Sequence, residues 1–133
     1  MSDSDSSKYS ESSSDSDTES EPEKYYKKGG YHHVKIGEEF NDKFVIIEKL
    51  GWGYYSTVWK VKNIEDDKLY ALKVVKSSSD YADAAKDEIK ILKRLSTQMK
   101  NEPVIRLYDN FLHFGKNGKH ICLATTLLGD DLF

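Results

Sequence analysis

Three strand-like runs follow one another with no room between them for a helix, and this spacing constrains the chain more than any other feature. Residues 44–50, Phe-Val-Ile-Ile-Glu-Lys-Leu, are aromatic and β-branched, and Gly51 and Gly53 punctuate their end. Residues 57–62 alternate with period two, Trp59 and Val61 apolar with polar side chains between them. A polar turn, Glu65-Asp66-Asp67-Lys68, leads into a third run over residues 69–75. Parallel neighbours would need a crossover of about a dozen residues, so short turns predict an antiparallel meander. The period then changes to helical: Asp80 is a candidate N-cap, and Tyr81, Ala85, Glu88, Leu92 and Leu95 recur on one face. Lys90, Lys93 and Arg94 crowd its far end, where cations suit the helix dipole. Residues 96–103 read as a polar loop, and 104–108 and 120–125 as two more strands with a turn from Gly115 to Gly118. The expected fold class is α+β, a five-stranded antiparallel sheet with one helix packed on one face.

The first part of the chain cannot join that body. Residues 1–23 hold ten Ser and one Thr, eight acids against Lys8 alone, and Tyr9 as their only aromatic. So little apolar surface does not offset the entropy of ordering, which predicts a disordered, acidic, Ser-rich tail. We draw its boundary at residue 28, with a lead-in segment over 29–43 and the globular lobe over 44–133. The tail carries −7 of a total −3, leaving the rest at +4, so the acidity is not a property of the fold. Serines beside acids suit an acid-directed kinase; a solubilising linker is the plainer reading.

Several function classes fall away. The N-terminus shows no basic region followed by an apolar run, and no apolar stretch approaches a membrane span, so no membrane partner is expected. Cys122 stands alone in an apolar run and reads as a core residue of a protein from a reducing compartment. The four histidines lack supporting Cys pairs; His32 and His33 read as loop residues, and His113 and His120 as flanking a separate hairpin, so no metal site is expected. Lys24, Lys27 and Lys28 beside an acidic tail make a poor nucleic-acid footprint.

The chemistry lies elsewhere. Gly51 and Gly53 permit positive φ in a hairpin and close approach of backbone amides to a phosphate, though an isolated Gly-x-Gly is usually an ordinary turn. A dinucleotide-binding fingerprint would lead from strand to helix, and a Walker loop would continue into Gly-Lys-Ser/Thr; this sequence does neither. Lys73, between apolar residues on the third strand, needs a partner or water, and Glu88 on a helix packed on the same sheet can supply one.

Glycines, Val58, the Ala71-Leu72-Lys73 strand and the helical Glu88, in this order, resemble the N-lobe of protein kinases. More narrowly, the segment from Gly29 to Gly37, the string from Lys49 to Trp59, Lys73-Val74-Val75-Lys76 and the run from Ala85 to Lys93 resemble SR-protein-specific serine/threonine kinases. Leu128-Gly129 is similar to the start of that family's hinge. The resemblance implies ATP as cofactor with Mg, serines of Arg-Ser-rich proteins as substrate, and a cytoplasmic and nuclear distribution. It implies that Gly51, Gly53 and Ser56, with Trp52 between the glycines, cover the phosphates. Leu50, Val58 and Ala71 would wall the adenine, and Lys73, oriented by Glu88, would meet the α and β phosphates. Thr125 falls at the gatekeeper position, and Thr126 to Leu128 at the hinge.

Departures carry information too. Ser56 stands where most kinases have glycine, His33 where the family suggests proline, and Thr125 and Thr126 where it suggests a bulky aromatic and an acid. A small gatekeeper implies a roomier back pocket. No His-Arg-Asp or Asp-Phe-Gly string occurs in the 133 residues, so no catalytic base or magnesium-binding Asp is expected among them, and Asp130 and Asp131 come too early to serve. The expectation is therefore a truncated product, an N-lobe that ends at the hinge with its second lobe absent and is inactive alone. A competing class is a non-catalytic lobe that binds protein partners.

Overall fold

The structure, a computed structural model, describes residues 21–127. Its strands are β1 (Glu39–Phe40), β2 (Phe44–Gly53), β3 (Ser56–Asn63), β4 (Lys68–Val75), β5 (Leu107–Gly115) and β6 (Gly118–Thr126), with one helix, α1 (Ser79–Gln98), after β4. They form one antiparallel sheet in the order β1-β2-β3-β4-β6-β5. The meander and its single helix are as expected. The sheet has six strands rather than five, because the two-residue β1 folds back on β2 through Asn41 and Asp42, both at positive φ. Short polar side chains tolerate that conformation better than others do.

The boundaries after the helix differ from expectation for one identifiable reason. Arg106 turns its guanidinium onto the end of α1, donating to the carbonyls of Ser96, Met99, Lys100 and Glu102. Residues 104–106 are thereby held as a loop, and the strand expected at 104–108 begins at Leu107. The helix continues through Gln98 into the expected loop, so Lys90, Lys93 and Arg94 fall short of its last turn and the dipole is met by Arg106 instead. At the other end Ser78, not Asp80, is the N-cap residue, and Asp80 sits in the first turn.

Period-two alternation on β4 divides the molecule. Leu72 and Val74 face an aromatic core with Phe40, Phe44, Ile46, Trp59, Val61 and Tyr70. Val75 faces the helix with Ala85, Ile121 and Leu123, flanked by Tyr81, Ile89 and Leu92. Cys122 belongs to the first core, and burial pushes its thiol pKa up, as a structural cysteine requires.

Residues 21–28, drawn above as part of the disordered tail, are instead built into the body. Glu23–Tyr25 forms a 3-10 turn, and buried Glu21 receives hydrogen bonds from Tyr26 and Lys49. Burial opposes ionisation of Glu21, but those donors outweigh it and hold its pKa below the usual range. The glycines that follow make this docking possible. Gly29 lies at φ +85°, and a Cβ on Gly30 would stand 1.9 Å from the Tyr25 carbonyl oxygen. Ser77 and Ser78 donate their amides to the Gly30 and Gly29 carbonyls, and the Asn117 side chain donates to Tyr31. A composition argument cannot see anchors of this kind, since they depend on residues far along the chain. No described helix is long and apolar enough to cross a membrane.

Candidate functional site

The alternation that buries Leu72 and Val74 on one face delivers Ala71 and Lys73 to the other, beneath α1. There the Lys73 ammonium lies 2.7 Å from Glu88 Oε2. Tyr55, from the β2–β3 turn, adds its hydroxyl 3.4 Å from Glu88 Oε1 and its ring 5.7 Å from the ammonium. Both partners keep about a quarter of their side-chain surface exposed, at 26% and 29%. At that exposure the pair contributes little to stability, and its value is positional: a cation fixed at the inner end of a cleft.

Two adjoining concavities share Val58 and Lys73. The outer one runs under the glycine strand, lined by Leu50, Gly51, Trp52, Gly53, Tyr55 and Ser56 as well. The inner one has a volume of 240 Å³ between Ala71, Glu88, Leu92, Ile105, Leu123 and Thr125. Every residue named above for the phosphates and the adenine walls lines one or the other, as does Thr125; of the expected hinge, Thr126 and Leu127 line neither and Leu128 lies outside the described residues. Leu50 reaches the cleft as the extra residue of a bulge, because Lys49 pairs with Trp59 but Gly51 pairs with Val58. Thr125 pairs with Ala71 on β4 and with Leu107 on β5, at the inner wall.

The glycines act differently from the hairpin reading. Neither Gly51 nor Gly53 has positive φ; both lie in β2, and the turn is made by Tyr54 and Tyr55. What distinguishes them is space, since a Cβ at either position meets nothing within 4 Å. Their missing side chains keep the outer cleft open rather than permitting a strained turn.

Other members escaped the sequence reading. Tyr31, buried in the lead-in, donates its hydroxyl to the Gly53 carbonyl at 2.7 Å and so ties the glycine strand down. Lys76 is buried with its ammonium 4.5–5.1 Å from the ring centres of Tyr25, Tyr31, Tyr54 and Tyr81. That cage joins the lead-in, the flap turn and the start of α1 around one cation. Burial still lowers the Lys76 pKa. The signal was a high tyrosine content with no periodicity, which composition records but cannot place.

The histidines also need correction. His32, read above only as a loop residue, is buried, as is His120, and His113 pairs with His120 across the hairpin. Their rings gather: His32 is 4.7 Å from His113 and 5.1 Å from His120. Burial pushes His120 down to about 4 even though its Nδ1 lies 2.8 Å from the Val75 carbonyl. His113 is lowered by burial and by its neighbour His32.

A family model described as protein kinase domain matches residues 44–133. The chain is 45% identical over 113 residues to the human SRSF protein kinase 3, covering 82% of this chain and 20% of that protein. It is 46% identical over 113 residues to the serine/threonine-protein kinase SRPK of Physarum polycephalum, covering 80% and 26%. To protein kinase dsk1 of Schizosaccharomyces pombe it is 41% identical over 112 residues, covering 80% and 21%. A crystal structure of a kinase domain superposes with TM-score 0.64 at 29% identity, over 72% of this chain and 27% of the other. The chain thus spans about a fifth to a quarter of the length of these curated relatives.

Proposed function

The chain belongs to the protein kinase family, as a serine/threonine kinase N-lobe whose relatives include the SRSF protein kinases, and from that premise we propose that its cleft binds ATP for phosphorylation of serines in Arg-Ser-rich proteins. The observation that carries the reading is the Lys73–Glu88 pair at 2.7 Å, facing a glycine strand with open space above it. The residues present fit a nucleotide. Leu50, Val58 and Ala71 offer apolar surface to an adenine, and Thr125 leaves room behind it. Lys73 offers one fixed positive charge to the α and β phosphates, and Glu88 keeps that charge from folding back onto the sheet. ATP, when bound, supplies the phosphoryl group to be transferred. Magnesium ligands and the catalytic Asp belong to motifs that these 133 residues do not contain.

Two outcomes test the reading. Calorimetric titration with ATP and magnesium is expected to show weak saturable binding that Lys73→Ala removes. Equal binding by wild type and variant would take Lys73 out of the site, and no binding by either would favour a protein-binding lobe. Residues 1–133 by themselves are expected to transfer no phosphate to an Arg-Ser-repeat peptide. Measurable turnover would show that phosphoryl transfer here does not need the missing motifs.

A further inference from the structure

We propose that His32, Glu38 and His113 form a binding site for a divalent transition cation of the zinc class, which pins the lead-in segment to the β5–β6 hairpin. One candidate ligand atom from each lies within 4.8 Å of the others. His32 Nε2 is 3.4 Å from Glu38 Oε2, and His113 Nε2 is 3.9 Å from the same oxygen. Tetrahedral zinc, with bonds of about 2.0–2.1 Å, spaces its donors by about 3.3 Å. The first pair already has that spacing, and the second exceeds it by about half an ångström.

A second observation points the same way. Among the described residues, the buried side-chain nitrogens and oxygens left without a hydrogen-bond partner are His32 Nδ1 and His120 Nε2. Both belong to this cluster. Buried polar atoms are nearly always satisfied, so two orphans in one place make this the least satisfied polar cluster among the described residues, although neither atom is itself a proposed ligand. His120 Nδ1, 2.8 Å from the Val75 carbonyl oxygen, must carry the proton, which leaves Nε2 with a free lone pair. Glu38 is itself oriented, its Oε1 accepting the Lys35 amide at 2.9 Å. An open cleft gives access past His33, Lys35 and Lys116. The two lysines disfavour a hard, hydrated cation held by charge alone, whereas two imidazoles and one carboxylate suit a borderline ion. None of the three proposed ligands lines the nucleotide cleft, so the site stands or falls independently of ATP.

Zn2+ alone, titrated into the chelator-treated 133-residue chain without nucleotide, is expected to bind at one equivalent and raise the melting temperature. Glu38→Gln, which keeps an oxygen for the Lys35 amide, and His113→Gln are each expected to weaken binding at least about tenfold. His33→Gln, adjacent but outside the cluster, is expected to bind as wild type. Absence of saturable binding, undiminished binding by both ligand variants, or an equal loss in His33→Gln would overturn the site. Should either ligand variant fail to fold, nitrogen chemical shifts of the wild-type imidazoles decide. Shifts at His32 and His113 on adding Zn2+ support the site, and none overturns it.

Discussion

Lys73 and Lys76 occupy one short stretch of sequence yet meet opposite fates, and the difference lies in what each faces. Lys73 emerges beneath α1 and finds the Glu88 carboxylate. Lys76, just past β4, has no carboxylate partner among the described residues and is held by four tyrosine rings. Tyr31 belongs to both arrangements, one ring face toward Lys76 and its hydroxyl on the Gly53 carbonyl. Tyr31→Phe therefore separates them, deleting the hydroxyl but keeping the ring. A single such hydrogen bond is worth about 1 kcal/mol, so urea unfolding should shift by that amount and nucleotide affinity should fall about fivefold. Amide exchange at Tyr54 and Tyr55 should quicken at the same time. Unchanged exchange there would mean that the hydroxyl does not restrain the flap.

At the scale of elements, the lead-in is the part whose role the structure changed most. It covers the sheet, contributes Tyr31 to the flap and Phe40 to the aromatic core, and hangs on Gly29 and Gly30. Gly30→Ala would drive a methyl group into the Tyr25 carbonyl, and relieving that clash means shifting backbone. The expected cost is about 2–4 kcal/mol, a drop of about 10 °C or more in melting temperature for a domain of this size. Gly51→Ala meets no atom within 4 Å and should leave the melting temperature within a few degrees while filling space the nucleotide would use. If both variants melted like wild type, the lead-in would not be anchored at Gly30. The meander, by contrast, was readable from period and turn length alone, because local pairing depends on residues close in sequence. The start of β5 was not, since Arg106 capping α1 is a contact between elements.

Over the whole molecule, the two faces of the sheet are unequally filled. Ten buried residues make the aromatic core, whereas Ala85 is the one fully buried residue of α1. Amides of α1 should therefore exchange through a partial opening at lower free energy than those of β3 and β4, which need global unfolding. Equal protection measured by native-state hydrogen exchange would show that helix and sheet open as one unit. That imbalance also marks the limit of what the order of residues determines. Strand and helix periods, the glycines, Lys73 and Glu88 follow from local patterning and from the cost of burying a charge, so fold and cleft were legible without coordinates. The tyrosine cage, the Tyr31–Gly53 bond and the histidine cluster join residues up to 88 positions apart, from the lead-in to the last hairpin. No period or composition encodes such meetings; they exist because the lead-in folds back over the sheet, and only the tertiary structure decides where it lands.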